Sequence, residues 1–489
     1  MTSPLSLGID LGTTSVKVAA LTAAGELVGG AASHHGIDEH AGGVQADPAV
    51  WWASVLRALS DLGDQVDLAR VCTVGLSGNM SSVVLVDEAH RPLGPALLLA
   101  DPRGADEIAR LPDEVRRQIL EATGNEPGTV FALSSLLWWR AHHPETIGRA
   151  TAWLSAKDYL RLGLTGHAAT DPTDAYNSLL LRDGQWDDAL IAAVGLERRV
   201  FPPLVASDAV AGCLHAQAAA ATGLPAGVPV ATGSGDVAAA LAGMGGLPTG
   251  TLAVSLGTSV TLMATLGDGP RPSLPQDAQG AMTVHPAADG SWFALGSLLT
   301  GGLALNWLRS LVGSEALADA DPVPDPGDML MFLPYLAGTG SPDYVPTATG
   351  TILGITPSTT AAQLVAALLE AVAFDLARLV DRLDGQSWSR VVVSGGGGRI
   401  AAWPQVIADI LGTPVDVLDQ PDLSALGAAV LGWRAVGEAV SPTLTTQTFA
   451  QRSANVPAWD VRRRRYELAR GPALDLARTI LAAQRKESA

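Results

Sequence analysis

The sequence is poor in cysteine, in basic residues and in long apolar runs, and each shortage excludes particular classes of protein. Its two cysteines, Cys72 and Cys213, have no metal-ligand spacing, so we expect buried and reduced thiols. Lys and Arg number 31 against 49 Asp and Glu, giving a net charge of -18 that argues against a nucleic-acid or membrane-surface partner. No apolar stretch approaches the roughly 18 residues of a membrane-spanning helix, and no basic leader precedes the first strand. We therefore expect a cytoplasmic protein.

Hydrophobic residues make up 47% of the 489 residues, which is enough for two large domains, each with its own core. Strand and helix patterns alternate along the chain, as a layered α/β protein requires. The stretch V-P-V-A-T-G-S-G-D-V-A-A-A-L-A-G-M-G-G, residues 228–246, predicts a strand, a glycine turn and a helix that close the first domain. We expect one domain over residues 1–246 and a second over 247–489.

The most informative feature is a pattern that occurs twice, at Leu7–Leu21 and again at Leu252–Leu266. In each copy an apolar strand runs into Gly-Thr and a second hydroxyl residue, then returns as an alternating strand, which predicts a tight hairpin. One such hairpin could simply lie on the surface, but a duplicated pair favours two half-domains that hold one polyphosphate, such as ATP, from both sides. The residues predicted to contact phosphate are Gly12, Thr13, Thr14, Gly257, Thr258 and Ser259.

Asp10 lies between the first strand and the first phosphate loop. A carboxylate there would repel phosphate unless a divalent cation lay between them, so this position predicts Mg2+ binding, through water. A carboxylate that caps the turn is the structural alternative. The second copy has Ser255 at the matching place, so only the first half is expected to handle the metal.

Asp236 follows Gly233-Ser234-Gly235 and precedes a predicted helix, at the point where a cleft between the domains should open. An ionised carboxylate at this place could accept the proton of a substrate hydroxyl that attacks the γ-phosphate of ATP. The alternative is a helix cap, and the two roles are compatible because the helix dipole favours the ionised form.

A third glycine-rich segment follows the short apolar strand Val391–Val393 and reads Ser394-Gly395-Gly396-Gly397-Gly398. A strand, a glycine loop and a helix at the carboxyl edge of an α/β sheet form a common nucleotide site, because small residues admit a base and ribose against the backbone. A flexible turn would have the same composition.

Taken together, the motifs resemble the FGGY family of carbohydrate kinases, and most of all its xylulokinase branch. The resemblance spans nearly the whole chain in the family's order. It is carried by D-L-G-T-T-S-V-K, G-L-S-G-N-M, K-D-Y-L-R-L-G-L-T-G, T-D-P-T-D-A, G-S-G-D-V-A-A, S-L-G-T-S, F-L-P-Y-L-A-G, S-G-G-G-G-R and A-L-G-A-A.

The resemblance implies an α/β fold of two ribonuclease-H-like domains, of the actin and hexokinase type, around a central cleft that holds ATP and sugar. It implies that Asp10 is the metal-associated aspartate and Asp236 the catalytic base, with a homodimer usual for the branch. Nucleotide contacts are implied for Gly302, Gly396 and Gly397, and sugar contacts for Met80, Ser81, Asp101, Arg103 and Asp236.

The sequence departs from the family mainly in the sugar pocket. The usual Q-M-H is Asn79-Met80-Ser81, the usual W-N-D is Leu99-Ala100-Asp101, and G-E-R-T-P is G-T-G-S-P. These changes affect the choice of sugar more than the reaction, since the phosphate and base positions are intact. We expect ATP-dependent phosphorylation of a primary hydroxyl, with D-xylulose the leading substrate. The alternatives are another ketose or polyol, a sugar-responsive pseudokinase or binding protein, and an actin-like ATPase.

Overall fold

The structure is a computed structural model that describes residues 3–39, 42–318, 320, 322–325, 327–383, 385–420 and 422–487. Its two halves each contain one seven-stranded mixed sheet with helices on it. Both predicted phosphate hairpins are confirmed as antiparallel strand pairs at the centre of these sheets.

The first sheet has strands in the order β11-β12-β5-β1-β2-β3, with β13 pairing β5. Its central strand β1 is antiparallel to β2 on one side and parallel to β5 on the other. Short pairs β4–β7, β6–β8 and β9–β10 lie outside the sheet. The strands of this half are β1 Leu5–Leu11, β2 Ser15–Thr22, β3 Leu27–His34, β4 Gln45–Ala46, β5 Val71–Gly78, β6 Val84–Val86, β7 Ala96–Leu97, β8 Ala152–Leu154, β9 Leu181–Arg182, β10 Gln185–Trp186, β11 Val210–Cys213, β12 Pro229–Ala231 and β13 Ser234–Gly235.

The second sheet repeats this central arrangement. Its order is β16-β17-β15-β14-β20-β21-β22, and β14 is antiparallel to β15 and parallel to β20. The same three-strand unit therefore occurs in both halves, as the internal repeat predicted. The strands of this half are β14 Thr251–Leu256, β15 Val260–Gly267, β16 Thr283–Pro286, β17 Trp292–Leu298, β18 Met331–Leu333, β19 Thr351–Leu353, β20 Arg390–Ser394, β21 Val415–Leu418 and β22 Thr446–Phe449.

Helices begin where the sequence carries their start signals. Asp47 caps α1 by accepting from the Ala49 amide, with Pro48 at the first helical position. Thr360 and Gln363 form a reciprocal capping box at α13. The helices are α1 Pro48–Gly63, α2 Ala105–Ala109, α3 Asp113–Thr123, α4 Ala132–His142, α5 Pro144–Arg149, α6 Ala156–Thr165, α7 Pro172–Ala175, α8 Asp188–Ala193, α9 Ala216–Thr222, α10 Asp236–Gly243, α11 Gly302–Val312, α12 Glu315–Ala318, α13 Ala361–Asp381, α14 Ala402–Leu411, α15 Leu423–Ala435 and α16 Val456–Glu487.

The two halves share a tightly packed interface built on small residues. Helix α15, late in the chain, lies against the first sheet, where a Cβ on Gly75 would overlap the carbonyl oxygen of Ala428. Two buried hydroxyls of that sheet donate to α15 carbonyls: Ser6 Oγ to Ala429 at 2.6 Å and Thr73 Oγ1 to Gly432 at 2.8 Å. Glycine lets these backbones approach more closely than any side chain would allow.

A second contact between the halves lies at the β16–β17 hairpin. The Asn125 side chain donates to the Val284 carbonyl at 2.9 Å and accepts from the Val284 amide at 2.8 Å. Nearby, the rings of Tyr176 and Trp292 meet edge to face, with centroids 5.5 Å apart. His285 is buried beside the Tyr176 ring, and burial lowers its pKa to about 4. It is therefore a neutral packing residue at physiological pH.

Three composition-based expectations have different outcomes. Both cysteines are free, but Cys213 is exposed and Cys72 half-buried, so the predicted burial is wrong for Cys213, which lies at a sheet edge. Within the described part of the chain, no helix is both long and apolar enough to cross a membrane. The boundary between residues 246 and 247 stays a prediction.

Candidate active site

The candidate site forms at the carboxyl ends of three neighbouring parallel strands of the first sheet. Strands β1, β5 and β13 end at Leu11, Gly78 and Gly235, and β5 pairs with both of the others. The phosphate loop, the Asn79–Ser81 segment and Asp236 follow these ends directly. Loops after the carboxyl ends of parallel strands are the usual place for ligands in α/β sheets.

Asp10 lies in β1, where it is 7% exposed. Its Oδ1 accepts a hydrogen bond of 2.9 Å from Ser77 Oγ on the adjacent strand. Burial raises the pKa of Asp10 to about 6, although the Ser77 hydrogen bond and the charge of Lys17 both lower it. The Ser77 hydrogen bond thus holds the carboxylate in place, but Ser77 and Lys17 together do not offset the cost of burying its charge.

Asp236 is half-buried at the start of α10. Burial, followed by the charge of the neighbouring Asp10 carboxylate, raises its pKa to about 7. A base with a pKa near the working pH is well matched to accept a proton from a hydroxyl.

The helix-cap alternative for Asp236 is wrong. Gly235 is the N-cap of α10, and Asp236 is the first helical residue, with no capping hydrogen bond from its side chain. Its Oδ1 accepts only from the amide of the next residue, Val237, at 2.9 Å. The carboxylate is therefore available to a ligand.

These two carboxylates fit a divalent cation. The charge of Asp10 raises the pKa of Asp236, while Asp10 Oδ2 accepts no hydrogen bond within the described residues. No three His, Cys, Asp or Glu side chains converge as a metal cage in those residues. Mg2+ commonly binds through one or two carboxylates together with waters and substrate phosphates, which suits this arrangement. Asp10 is the residue that would hold it.

The first phosphate loop presents two exposed threonines, Thr13 and Thr14. Gly12 closes the hairpin by donating to the Ser15 carbonyl at 2.9 Å. His35, which no motif singles out, supports the loop from the next strand: its Nε2 lies 3.1 Å from the Thr13 carbonyl oxygen and its amide donates to Thr14. The amides of Thr13 and Thr14 donate to no acceptor in the described chain, so they are free for phosphate oxygens.

The second phosphate loop and the start of α11 are in direct contact. The Gly302 amide donates to the Gly257 carbonyl at 2.9 Å, and the Leu303 amide donates to Thr258 at 3.0 Å. A Cβ on Gly302 would come 2.7 Å from the Gly257 carbonyl oxygen. The structure therefore brings the predicted nucleotide glycine to the predicted phosphate loop, with Thr258 and Ser259 exposed.

The glycine loop after β20 packs beside the same hairpin. Gly395 has a φ of +86°, and a Cβ there would come 2.7 Å from the Leu256 carbonyl oxygen. Gly397 is buried against the Trp403 ring, whereas a Cβ on Gly396 would meet open space. The motif identified Gly396 and Gly397, but Gly395 is the position at which backbone strain requires glycine.

One of the predicted sugar residues, Met80, lies close to Asp236, and Ser81 follows it in the same segment. A Cβ on Gly235 would come 2.7 Å from Met80 Cγ, so Met80 packs against the residue that precedes Asp236. Ser81 is 4% exposed and has a φ of +62°, a conformation that His and Asn adopt more readily than Ser. Val83 and Leu97 exchange backbone hydrogen bonds, which place the Leu99–Asp101 segment beside this turn.

Asp101 and Arg103 are engaged with the protein and with each other. Asp101 accepts from the Val44 amide at 2.9 Å and from Arg103 Nη2 at 2.5 Å. Arg103 also donates to Gln45 at 2.9 Å and stacks over the Trp138 ring at 4.5 Å. Their hydrogen bonds fix the loop beside Ser81, and a direct contact with sugar stays a prediction for both.

The motifs assigned no role to an ion pair that joins the two halves at the site. Lys17, opposite Asp10 in the β1–β2 hairpin, lies 2.8 Å from Asp422, the residue before α15. Both side chains are more than a third exposed, so the pair contributes little to stability. The pair instead places a positive charge opposite Asp10.

Comparison with known proteins identifies the family. Residues 5–243 match the N-terminal domain of the FGGY family of carbohydrate kinases, and residues 252–436 match its C-terminal domain. The chain belongs to this FGGY family. It is accordingly an enzyme that phosphorylates a sugar, with ATP as the phosphoryl donor and Mg2+ as its partner ion.

Relatives of this FGGY kinase agree over most of its length. It is 34% identical to the xylulose kinase of Escherichia coli K12 over 437 residues, covering 87% of this chain and 89% of that one. A "xyloylose kinase" structure from Brucella ovis superposes with a TM-score of 0.87 at 31% identity, covering 96% and 99% of the two chains. The xylulose kinase structure from Rhodospirillum rubrum gives 0.85 at 28% identity, covering 96% and 99%. The predicted two-domain fold of the actin and hexokinase type is thereby confirmed.

Proposed function

We propose that this FGGY kinase transfers the γ-phosphoryl group of ATP to a primary hydroxyl of D-xylulose. Three observations support the proposal: the paired phosphate loops, the carboxylates Asp10 and Asp236 at one cleft, and xylulose kinases among the relatives. In the proposed reaction the sugar oxygen forms a bond to the γ-phosphorus, the bond to the β-phosphate oxygen breaks, and ADP leaves.

Asp236 carries the proposal because it accounts for the proton. As the sugar oxygen attacks, its proton passes to the Asp236 carboxylate, whose pKa of about 7 allows both uptake and release near neutral pH. Asp10 would hold Mg2+, which neutralises the developing charge on the phosphates. Neither a sugar-binding protein nor an actin-like ATPase requires a base beside a sugar pocket.

The exposed residues of the two phosphate loops and the glycines beside them would bind ATP. Thr13 and Thr14 offer free amides on one side, and Thr258 and Ser259 offer exposed hydroxyls on the other. Met80 and Ser81 would form the floor of the sugar pocket, with Asp101 and Arg103 holding its adjacent loop.

Another ketose or polyol is the second candidate substrate, because two residues of the predicted sugar pocket differ from those of the family. Ser81 stands where the family has histidine, and Ala100 stands where the family has asparagine. Each neutral hydrogen bond lost to xylulose costs about 0.5–1.5 kcal/mol, so two losses weaken binding by roughly 10- to 100-fold.

The proposal also covers the domain boundary, the oligomeric state and the cellular location. The domains would divide at residues 246 and 247, with glycines at 245, 246 and 250 as the hinge region for closure on sugar. We propose a homodimer, which is usual for the xylulokinase branch, and a cytoplasmic location for the enzyme. Size-exclusion chromatography with light scattering tests the dimer.

The deciding experiment measures ADP release with a panel of ketoses and polyols, each at several concentrations, in the presence and absence of Mg2+. D-Xylulose giving the highest kcat/KM supports the proposal. A clearly preferred sugar of another class refutes the xylulose assignment but keeps the kinase. ADP release that no sugar stimulates contradicts the proposed transfer altogether.

A further inference from the structure

A fully buried group of charges lies behind the proposed base. Lys157 Nζ contacts three carboxylates: Asp158 at 2.7 Å, Asp171 at 2.9 Å and Asp174 at 3.0 Å. Arg161 adds a fourth ion pair, to Asp158 at 2.8 Å. We call these five residues the Lys157 cluster; all are at most 1% exposed. They come from the K-D-Y-L-R and T-D-P-T-D-A motifs, to which the mechanism gives no role.

Stability alone is a weak reason for such a cluster. Removing charges from water is expensive, and replacing a buried ion network by apolar residues of similar volume is often neutral or stabilising. Three carboxylates here face only two cations, Lys157 and Arg161. Because the charges are kept despite this energetic cost, we infer that the cluster positions other residues. The hydrogen bonds from the cluster to its neighbours identify those residues.

Those contacts hold both ends of the segment that precedes Asp236. At one end, Arg161 Nη1 donates to the Thr232 carbonyl at 2.8 Å. At the other end, the Gly235 amide donates to Thr173 Oγ1 at 2.8 Å. The Thr173 hydroxyl in turn donates to Asp171 Oδ2 at 2.7 Å, so its orientation is set by the cluster.

Asp171 is itself fixed from several directions. It accepts from Ser207 Oγ at 2.6 Å and from the Thr173 amide at 3.0 Å, in addition to its contact with Lys157. The chain from Lys157 through Asp171 and Thr173 to Gly235 is therefore continuous and fully bonded. It ends one residue before the base.

We propose that Thr173 is a positioning residue for phosphoryl transfer, whose hydroxyl fixes the Gly235 amide and thereby the direction in which Asp236 enters the cleft. Gly235 has no side chain of its own to restrain its backbone, so the restraint has to come from a neighbour. A displacement of about 1 Å in a reacting group can cost on the order of 100-fold in rate. This inference rests on the proposed function, since it assumes that Asp236 is the base.

The test compares Thr173→Val, which removes the hydroxyl at similar volume, with Thr173→Ser, which keeps it. Thr222→Val is the matched control, because Thr222 is also buried in this half and donates to the Ala218 carbonyl at 2.7 Å, away from the cleft. For each variant kcat and KM for D-xylulose and ATP, the urea midpoint, and amide exchange over residues 232–240 are measured.

We expect Thr173→Val to lower kcat by about 10-fold or more with both KM values within about 3-fold, because alignment is lost but binding is kept. Thr173→Ser should stay within about 3-fold of wild type in kcat, since its hydroxyl can make the same two hydrogen bonds. Exchange over residues 232–240 should accelerate in Thr173→Val alone.

A kcat in Thr173→Val no lower than in Thr222→Val overturns the proposal and leaves the kinase assignment standing. Equal losses in Thr173→Val and Thr173→Ser also overturn it, because the hydroxyl would then not be the cause. If the wild-type enzyme transfers phosphate to no sugar, the proposed function fails, and the exchange comparison still decides whether Thr173 fixes the segment.

Discussion

Replacing Asp236 by Asn removes the proposed proton acceptor while keeping the shape of the side chain. The amide cannot take the proton of the sugar hydroxyl, so we expect kcat to fall on the order of 100-fold or more. ATP binding should change little, because neither phosphate loop involves this residue. Asp236 accepts only from the Val237 amide, so the helix should not lose a cap.

The same substitution should also change the free energy of unfolding, by an amount that follows from the pKa of Asp236. That pKa rises from 3.8 to about 7 on folding. A shift of about 3 units at about 1.36 kcal/mol each corresponds to an upper value of about 4 kcal/mol of destabilisation when the group is ionised. Because the side chain is only half-buried, we expect about 1–3 kcal/mol.

The sign of the effect depends on pH. A carboxyl group whose folded pKa is raised contributes no penalty at low pH, where it is protonated in both states. The penalty grows as the pH rises above 3.8 and is complete above about 7. Asp236→Asn should therefore match wild type near pH 4 and unfold less readily at pH 8.

Urea denaturation followed by tryptophan fluorescence at several pH values measures this difference, and ADP release measures activity. Asp113→Asn is the matched control, because Asp113 is the exposed first residue of α3 and makes the same change at the same helical position. Near wild-type turnover in Asp236→Asn would refute the base. A difference in unfolding free energy that does not vary with pH would refute the raised pKa that follows from burial of the Asp236 carboxyl.

Three other substitutions test the metal, the sugar pocket and the interface between the halves. Asp10→Asn should keep ATP binding by calorimetry but lose Mg2+-dependent ADP release about 100-fold, and transfer near the wild-type rate would contradict its metal role. Ser81→His should raise kcat/KM for D-xylulose about 10-fold, since it restores a donor at a φ that His tolerates; no gain would argue for another sugar. Gly75→Ala should lower the urea-unfolding free energy by about 2–4 kcal/mol, because its Cβ would overlap Ala428, and an unchanged midpoint would contradict that packing.

Local patterns account for much of what the sequence predicted correctly. The two hairpins at Gly12 and Gly257 were readable because apolar alternation, glycine and hydroxyl residues act over a few neighbouring positions. The Asp47 cap before Pro48, which starts α1, is an equally local signal. The cap considered as an alternative for Asp236 is wrong because Gly235, paired with the end of β5, already occupies the capping position.

Contacts between distant parts of the chain were beyond those patterns. Nothing local indicates that α15 would pack on the first sheet, that His35 would support the Thr13 carbonyl, or that Gly395 would adopt a positive φ. Each depends on the approach of elements tens to hundreds of residues apart.

The sequence by itself therefore determined the repeated strand units, the phosphate loops and the family, because short-range periodicity and motif order specify them. Only the tertiary structure decided how the carboxylates behave. The pKa values of Asp10 and Asp236 rise chiefly because folding buries both carboxyl groups, and the Thr173 hydroxyl reaches Gly235 across 62 residues of chain. Desolvation and long-range hydrogen bonds exist only once those strands have assembled.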